Sequence, residues 1–237
     1  MTMAMLALLI IGLAGSKVPG ENPEKAPTLE QLAESYWNSF LENNPVEATS
    51  LGFRRYDHLL EDITPEGRKR EREKLERIRN QVRGLPDQGL PSSQRLTRRA
   101  LLEQVNTDLA RMDCDLQDWV VDPMGGPQVG LFNIESLQPV RTVEEGKAMV
   151  KRWLAMGPYL DHHIANLRRG LDGGKVAVRE LVDKVIRQLE ETLDRPDSGW
   201  TLLKPLDAAH PGWQEDQRKE FQNELKAAVA GSVRPAL

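Results

Sequence analysis

"TLEQLAESYWNSFLENN", Thr28 to Asn44, carries both marks of an amphipathic helix. Leu29, Leu32, Tyr36 and Phe40 recur at three- and four-residue intervals, so they share one face of a 3.6-residue period. Ahead of them Thr28 and Gln31 stand in capping-box spacing, where the threonine hydroxyl and the glutamine side chain each satisfy an amide that the first turn leaves unpaired. The same two signals, a start or stop residue and a helical period, recur along nearly all of the chain.

Asn44-Pro45 starts a short turn that Gly52 can end. Thr64-Pro65 opens a polar helix to about Arg83, which Gly84 and Pro86 stop. A further helix runs from about Ser92, with Leu101, Val105, Leu109, Met112 and Leu116 as its apolar stripe. Thr142 with Glu145 caps another, expected over Val143 to Met156. Val178, Leu181, Val182, Val185, Ile186, Leu189 and Leu193 form one apolar face, and Phe221, Leu225 and Val229 mark a last helix over about Gln214 to Ala230. Only "WVVDPMGGPQVGLFNI", Trp119 to Ile134, breaks the rhythm. Its glycines and prolines rule out a continuous helix, and its Val and Phe suit an irregular connection or a short strand. The fold class expected is all-α, an irregular array of antiparallel helices over residues 28–237.

The amino terminus differs from the rest. Ala4 to Ala14, "AMLALLIIGLA", is apolar and is followed by small residues up to Ser16, as in a signal peptide over 1–16. It falls short of the ~20 residues of a membrane-spanning helix, so no integral span is expected. Leu13-Ala14-Gly15-Ser16 has the form of a lipoprotein box with serine where the lipidated cysteine would stand, which closes that route to a lipid anchor. Export to the periplasm or beyond follows; the alternative is a buried first helix and a cytoplasmic protein. Residues 17–27, "KVPGENPEKAP", read as a linker.

Composition excludes some functions. With 39% hydrophobic and 29% charged residues in 237, the chain suits a soluble globular protein, and a net charge of −4 argues against a nucleic-acid binder. The run Arg68 to Arg83 holds eight basic residues against three acids. Its Glu66/Arg70 and Glu73/Arg77 pairs, each worth ~0.2–0.5 kcal/mol, suit a solvated helix face. Cys114 is the single cysteine, so neither a disulfide framework nor a thiolate zinc cluster can form, and a buried structural thiol is the expected role.

"YLDHHIANLRRG", Tyr159 to Gly170, draws attention because Asp161, His162 and His163 are consecutive. Successive helical side chains point about 100° apart, so adjacent histidines do not close on one metal, and the positions four residues away offer no ligand. A tyrosine-histidine contact, capping or exposure is the better reading, with Gly170 as a helix C-cap. His58 and His210 lie far off in loop-like contexts. Neither a G-x-S-x-G elbow nor a phosphate-cradling glycine loop is present. No catalytic, cofactor-binding or metal residue is assigned.

Several stretches together resemble a known family. "NPVEATSLGFRRYDHLLEDITPEG", Asn44 to Gly67, is similar to the opening signature of the bacterial domain-of-unknown-function family 885, and "YLDHHIANLRRGLDGG" followed by "VIRQLEETL" and "LLKPL" is similar to a second stretch of it. The resemblance implies an exported, helical, zinc-dependent peptidase of the gluzincin type. Its H-E-x-x-x-H-like motif would bind zinc, and a glutamate would act as general base on a metal-bound water, in a carboxy-terminal half without counterpart here. It further implies that this chain is an amino-terminal fragment, inactive alone, with a peptide substrate only in a full-length form. A self-sufficient exported helical binding module is the alternative. If half of a core is missing, exposed apolar faces are expected, above all around Phe221, Leu225 and Val229.

Overall fold

The computed structural model describes residues 26–86 and 88–237, and among them every regular element is helical. The apolar leader over 1–16 and the linker up to residue 25 lie outside the described residues. No helix among the described residues is long and apolar enough to cross a membrane. The chain forms two compact units, one from the segment ending at Asn43 together with Glu66–Cys114, the other from Asn44–Pro65 with Asp115–Leu237. Helices are numbered in chain order.

The first unit holds α1 (Leu29–Asn43) and α4 (Ser92–Asp113), with all but the first residue of α3 (Pro65–Gly84). Its core joins Leu29, Leu32 and Tyr36 of α1 to Leu75, Ile78 and Val82 of α3 and Leu101, Val105 and Leu109 of α4. The capping box forms: the Thr28 amide donates to Gln31 Oε1 at 2.9 Å and the Gln31 amide to Thr28 Oγ1 at 3.3 Å. The basic run of α3 is partly engaged within the unit. Lys74 reaches Glu42 at 2.8 Å, Arg72 reaches Asp113 at 2.7 Å, and Arg68 Nη2 donates to the Met112 carbonyl at 2.8 Å. Cys114, expected buried, is exposed as the residue that ends α4, its thiol directed at the Ala110 carbonyl at 3.4 Å.

The second unit holds α2 (Pro45–Ser50), α5 (Pro127–Leu137), α6 (Val143–Asp172), α7 (Arg179–Leu193) and α8 (Glu215–Ala228). A π-helical turn, Val229–Val233, continues α8. The core centres on α6, where Met149, Trp153, Met156 and Leu160 pack with Leu131, Ile134, Leu202, Phe221, Leu225, Val229 and Val233. Phe221, Leu225 and Val229 are therefore buried, against the expectation of an exposed last helix; the core of this unit closes over them. Exposed apolar surface lies instead on α7, which buries no residue and leaves Ile186 47% exposed.

Two further expectations are corrected here. The 119–134 segment holds no strand. It is irregular up to Gly126, where an extended glycine precedes Pro127 at the first position of α5, and proline's fixed φ there favours a helix. The helix expected to stop at Met156 runs on to Asp172, with Pro158 in its interior. Proline at that position cannot donate to the Leu154 carbonyl. The Ser232 hydroxyl, from the π-helical turn, donates to that carbonyl at 2.8 Å, and the Gly157 amide donates to Ser232 Oγ at 3.2 Å. A Cβ on Gly157 would stand 2.6 Å from the Ser232 carbonyl oxygen, so the glycine permits the approach that mends the helix.

Candidate functional site

α6 starts with a complete capping box: the Glu145 amide donates to Thr142 Oγ1 at 3.2 Å, and Glu145 Oε2 accepts the Thr142 amide at 3.1 Å. From that fixed start the helix carries Arg152, Tyr159, His163 and Asn166 inward in order, followed by the exposed Arg169.

Arg152 is fully buried. Its Nε donates to the Leu59 carbonyl at 2.7 Å and Nη1 to Gln138 Oε1 at 2.8 Å, while Nη2 lies within reach of the Tyr56 carbonyl at 2.6 Å, Thr49 Oγ1 at 2.9 Å and the Pro45 carbonyl at 3.3 Å. The Gln138 amide donates to the Asp57 carbonyl at 2.9 Å, and the Thr49 hydroxyl donates to Asp57 Oδ1 at 2.7 Å. One guanidinium thus fastens α2, the 56–59 turn and the end of α5 to α6. Burial pushes its pKa down to about 10, with Asp57 and Glu61 opposing the shift, so it stays charged at neutral pH. Burial also raises the Glu61 carboxyl, against the pull of its backbone hydrogen bonds and Arg152.

One turn and more along, Tyr159 and His163 meet edge to face, ring centroids 4.8 Å apart, as the tyrosine-histidine reading of the sequence expects. Burial, helped by His162, pushes the His163 pKa down to about 4, so the ring is neutral at pH 7, and its Nε2 is buried without a hydrogen-bond partner. Burial, then the Glu61 charge, pushes the Tyr159 hydroxyl up. Asp161 and His162 are exposed. Asn166 Nδ2 donates to the Ile63 carbonyl at 3.0 Å, and Arg169 Nη2 holds Asp118 at 2.6 Å. Gly170, expected as a C-cap, is a buried residue inside the last turn of α6 whose Cβ would overlap the Asp118 carbonyl oxygen. The helix ends at Asp172, and Gly173 is its C-cap.

The chemistry this array supports is positional. Its guanidinium is spent on five acceptors, the Thr49 hydroxyl faces a carboxylate rather than an imidazole, and its neutral histidine faces a phenol. Among the described residues no three His, Cys, Asp or Glu side chains converge to hold a metal ion, so zinc does not fit this array. Arg152 itself was missed in the sequence: an isolated arginine amid "MVKRWLAM" reads as exposed, and only its place on the Met149/Trp153/Met156 side of α6 could have flagged it.

An all-helical protein, among the described residues, whose second unit is organised around one long, polar-clamped helix is the class this geometry defines. The chain belongs to the family described as "Bacterial protein of unknown function (DUF885)", whose model matches residues 45–237. No curated protein matches it. A crystal structure described as that of "the putative lipoprotein from Colwellia psychrerythraea" is similar over 89% of this chain, with a TM-score of 0.75 and 15% identity, a likeness of fold. The chain spans 40% of the length of that structure.

Proposed function

We propose that this chain is the helical scaffold portion of a longer, exported, peptidase-like hydrolase, shaping one wall of its substrate cleft and supplying no catalytic group. The observation that carries this reading is the length ratio: a fold that occupies 40% of a similar structure leaves more than half of such a protein for other work. The Arg152 array supports it, because its polar side chains are consumed in joining helices. Export is supported by the apolar segment Ala4–Ala14 and by the lipoprotein description of the similar structure. The test pairs the coding sequence downstream of Leu237 with assays of the purified chain. The reading expects an H-E-x-x-x-H-like motif in that downstream sequence, and no stoichiometric zinc or peptide hydrolysis by residues 1–237. A chain that binds zinc and cleaves peptides by itself, or a downstream sequence without such a motif, would overturn it.

A second reading, a self-sufficient binding module, is favoured by the burial of Phe221, Leu225 and Val229 in a closed core. Cooperative melting of the isolated chain as a monomer that binds no hydrophobic dye is the result that would select it.

A further inference from the structure

Between the 206–211 loop and α8 the second unit has a surface hollow of about 260 Å³. Its sides are apolar, formed by Leu206, Ala208, Ala209 and Pro211, and its polar part comes from His210, Arg218 and Gln222. That volume is a little below the ~300 Å³ at which pockets for drug-sized ligands begin, so it suits a smaller molecule.

Of these, His210 and Arg218 are fixed but incompletely satisfied. His210 is 5% exposed, stacked on Trp213 at 4.5 Å and edge-on to Phe221 at 5.5 Å. Its Nε2 lies 3.1 Å from the Pro205 carbonyl, an acceptor only, so Nε2 carries the hydrogen, and in that tautomer Nδ1 keeps a lone pair. That Nδ1 is buried without a partner. Arg218 Nη2 donates to the His210 carbonyl at 3.0 Å, while its Nε, a donor, is also buried without a partner, and no carboxylate among the described residues is in ion-pair contact with it. An unpaired donor on a cation and an unpaired acceptor, on two residues lining one hollow, are costly to leave unmet, and each is met by a ligand group of opposite kind.

We propose that this hollow is a binding site for a short-chain α-hydroxy or α-amido carboxylate. The carboxylate accepts from Arg218 Nε–H, the hydroxyl or amide on the α-carbon donates to His210 Nδ1, and the short side chain lies against Leu206 and Pro211. The exposed Ala208 and Ala209 give way to admit it. A free small acid and the carboxyl terminus of a peptide share this chemistry.

Calorimetric titration of the full chain with L-lactate, and with N-acetyl-L-alanine as the peptide terminus, tests the site, read together with the imidazole 15N shifts of His210. At least one of the two binds saturably, moves the Nδ1 resonance, and binds about tenfold or more tighter than acetate, which lacks the α donor, or lactamide, which lacks the carboxylate. Binding of lactate identifies a free acid as a sufficient ligand; binding of N-acetyl-L-alanine alone identifies a chain terminus. Arg218→Lys, which keeps the charge and a donor for the His210 carbonyl, weakens binding about tenfold by removing Nε. Ala209→Phe fills the hollow and abolishes binding with an unchanged melting temperature. The proposal is overturned if neither ligand binds, if acetate or lactamide binds equally well, or if a folded Ala209→Phe protein still binds.

Discussion

The Arg152 guanidinium and the Asp57 carboxylate are joined through one hydroxyl: Thr49 Oγ1 accepts from the guanidinium at 2.9 Å and donates to the carboxylate at 2.7 Å. The threonine lets a buried cation and a buried anion share one proton-bearing bridge, and it ties the 44–65 segment to α6. Removing the cation leaves several carbonyls and Gln138 without donors in a dry site. Arg152→Met is therefore expected to destabilise the second unit by about 3–5 kcal/mol, the cost of breaking a buried charged network from one side. Thr49→Val, which removes the bridge together with the hydroxyl's 3.0 Å approach to the Pro45 carbonyl, is expected to cost about 1–3 kcal/mol. Urea unfolding of both single variants and the double variant checks this, and strictly additive costs would contradict the shared bridge.

His163 makes stability depend on pH. Its pKa falls from the ordinary 6.5 to about 4 on folding, so between those values the unfolded chain binds more protons and stability rises with pH. The His163 contribution is complete above pH 6.5 and is lost as pH falls towards 4, up to about 3 kcal/mol. Glu61, with a raised carboxyl pKa, acts with the opposite sign, losing its contribution as pH rises. Chemical denaturation of wild type and His163→Phe between pH 7 and pH 4 should show the variant losing markedly less stability; parallel pH profiles would exclude the histidine as the cause.

The helices were legible because they announce themselves locally. Thr28 with Gln31 and Thr142 with Glu145 are three residues apart, and both boxes form as spaced. The Arg152 array was not, because four of its acceptors lie 93 to 107 residues upstream and three of those are backbone carbonyls, which no residue type marks. Gly170 shows a related failure. A glycine near the end of a periodic stretch reads as a C-cap, whereas here it admits the backbone at Asp118, a neighbour that local sequence cannot supply.

Gly170→Ala tests that contact. Added beside the Asp118 carbonyl, a methyl group forces helix and loop apart, and a loss of about 1–3 kcal/mol is expected. Gly84→Ala, at the end of α3 with open space around its Cβ position, should be neutral or stabilising by up to about 1 kcal/mol. Thermal unfolding of the two variants should move in opposite directions or leave Gly84→Ala unmoved. Equal losses would sink the close-approach explanation.

The distribution of apolar surface makes another comparison. Phe221 is 4% exposed in the core, whereas Ile186 of α7 is 47% exposed. Phe221→Ala should cost about 3–5 kcal/mol, as large-to-small changes in a packed core do. Ile186→Lys should change stability by no more than about 0.5 kcal/mol. A severe loss from Ile186→Lys in the isolated chain would mean that α7 is covered, by a second copy or otherwise, in solution.

Pro158 and Ser232 supply the sharpest test of how the long helix is held. Proline 158 leaves the Leu154 carbonyl without its helical donor, and the Ser232 hydroxyl takes that place at 2.8 Å. In wild type, Ser232→Ala removes that replacement and is expected to cost about 1–2 kcal/mol. In a Pro158→Ala background the residue 158 amide can itself pair with Leu154, so the same serine substitution should cost well under half as much. The coupling between the two sites, read by a double-mutant cycle in urea, is then at least about 0.5 kcal/mol. Full additivity would show that the serine stabilises the π-helical turn for some other reason, and that α6 crosses Pro158 without its help.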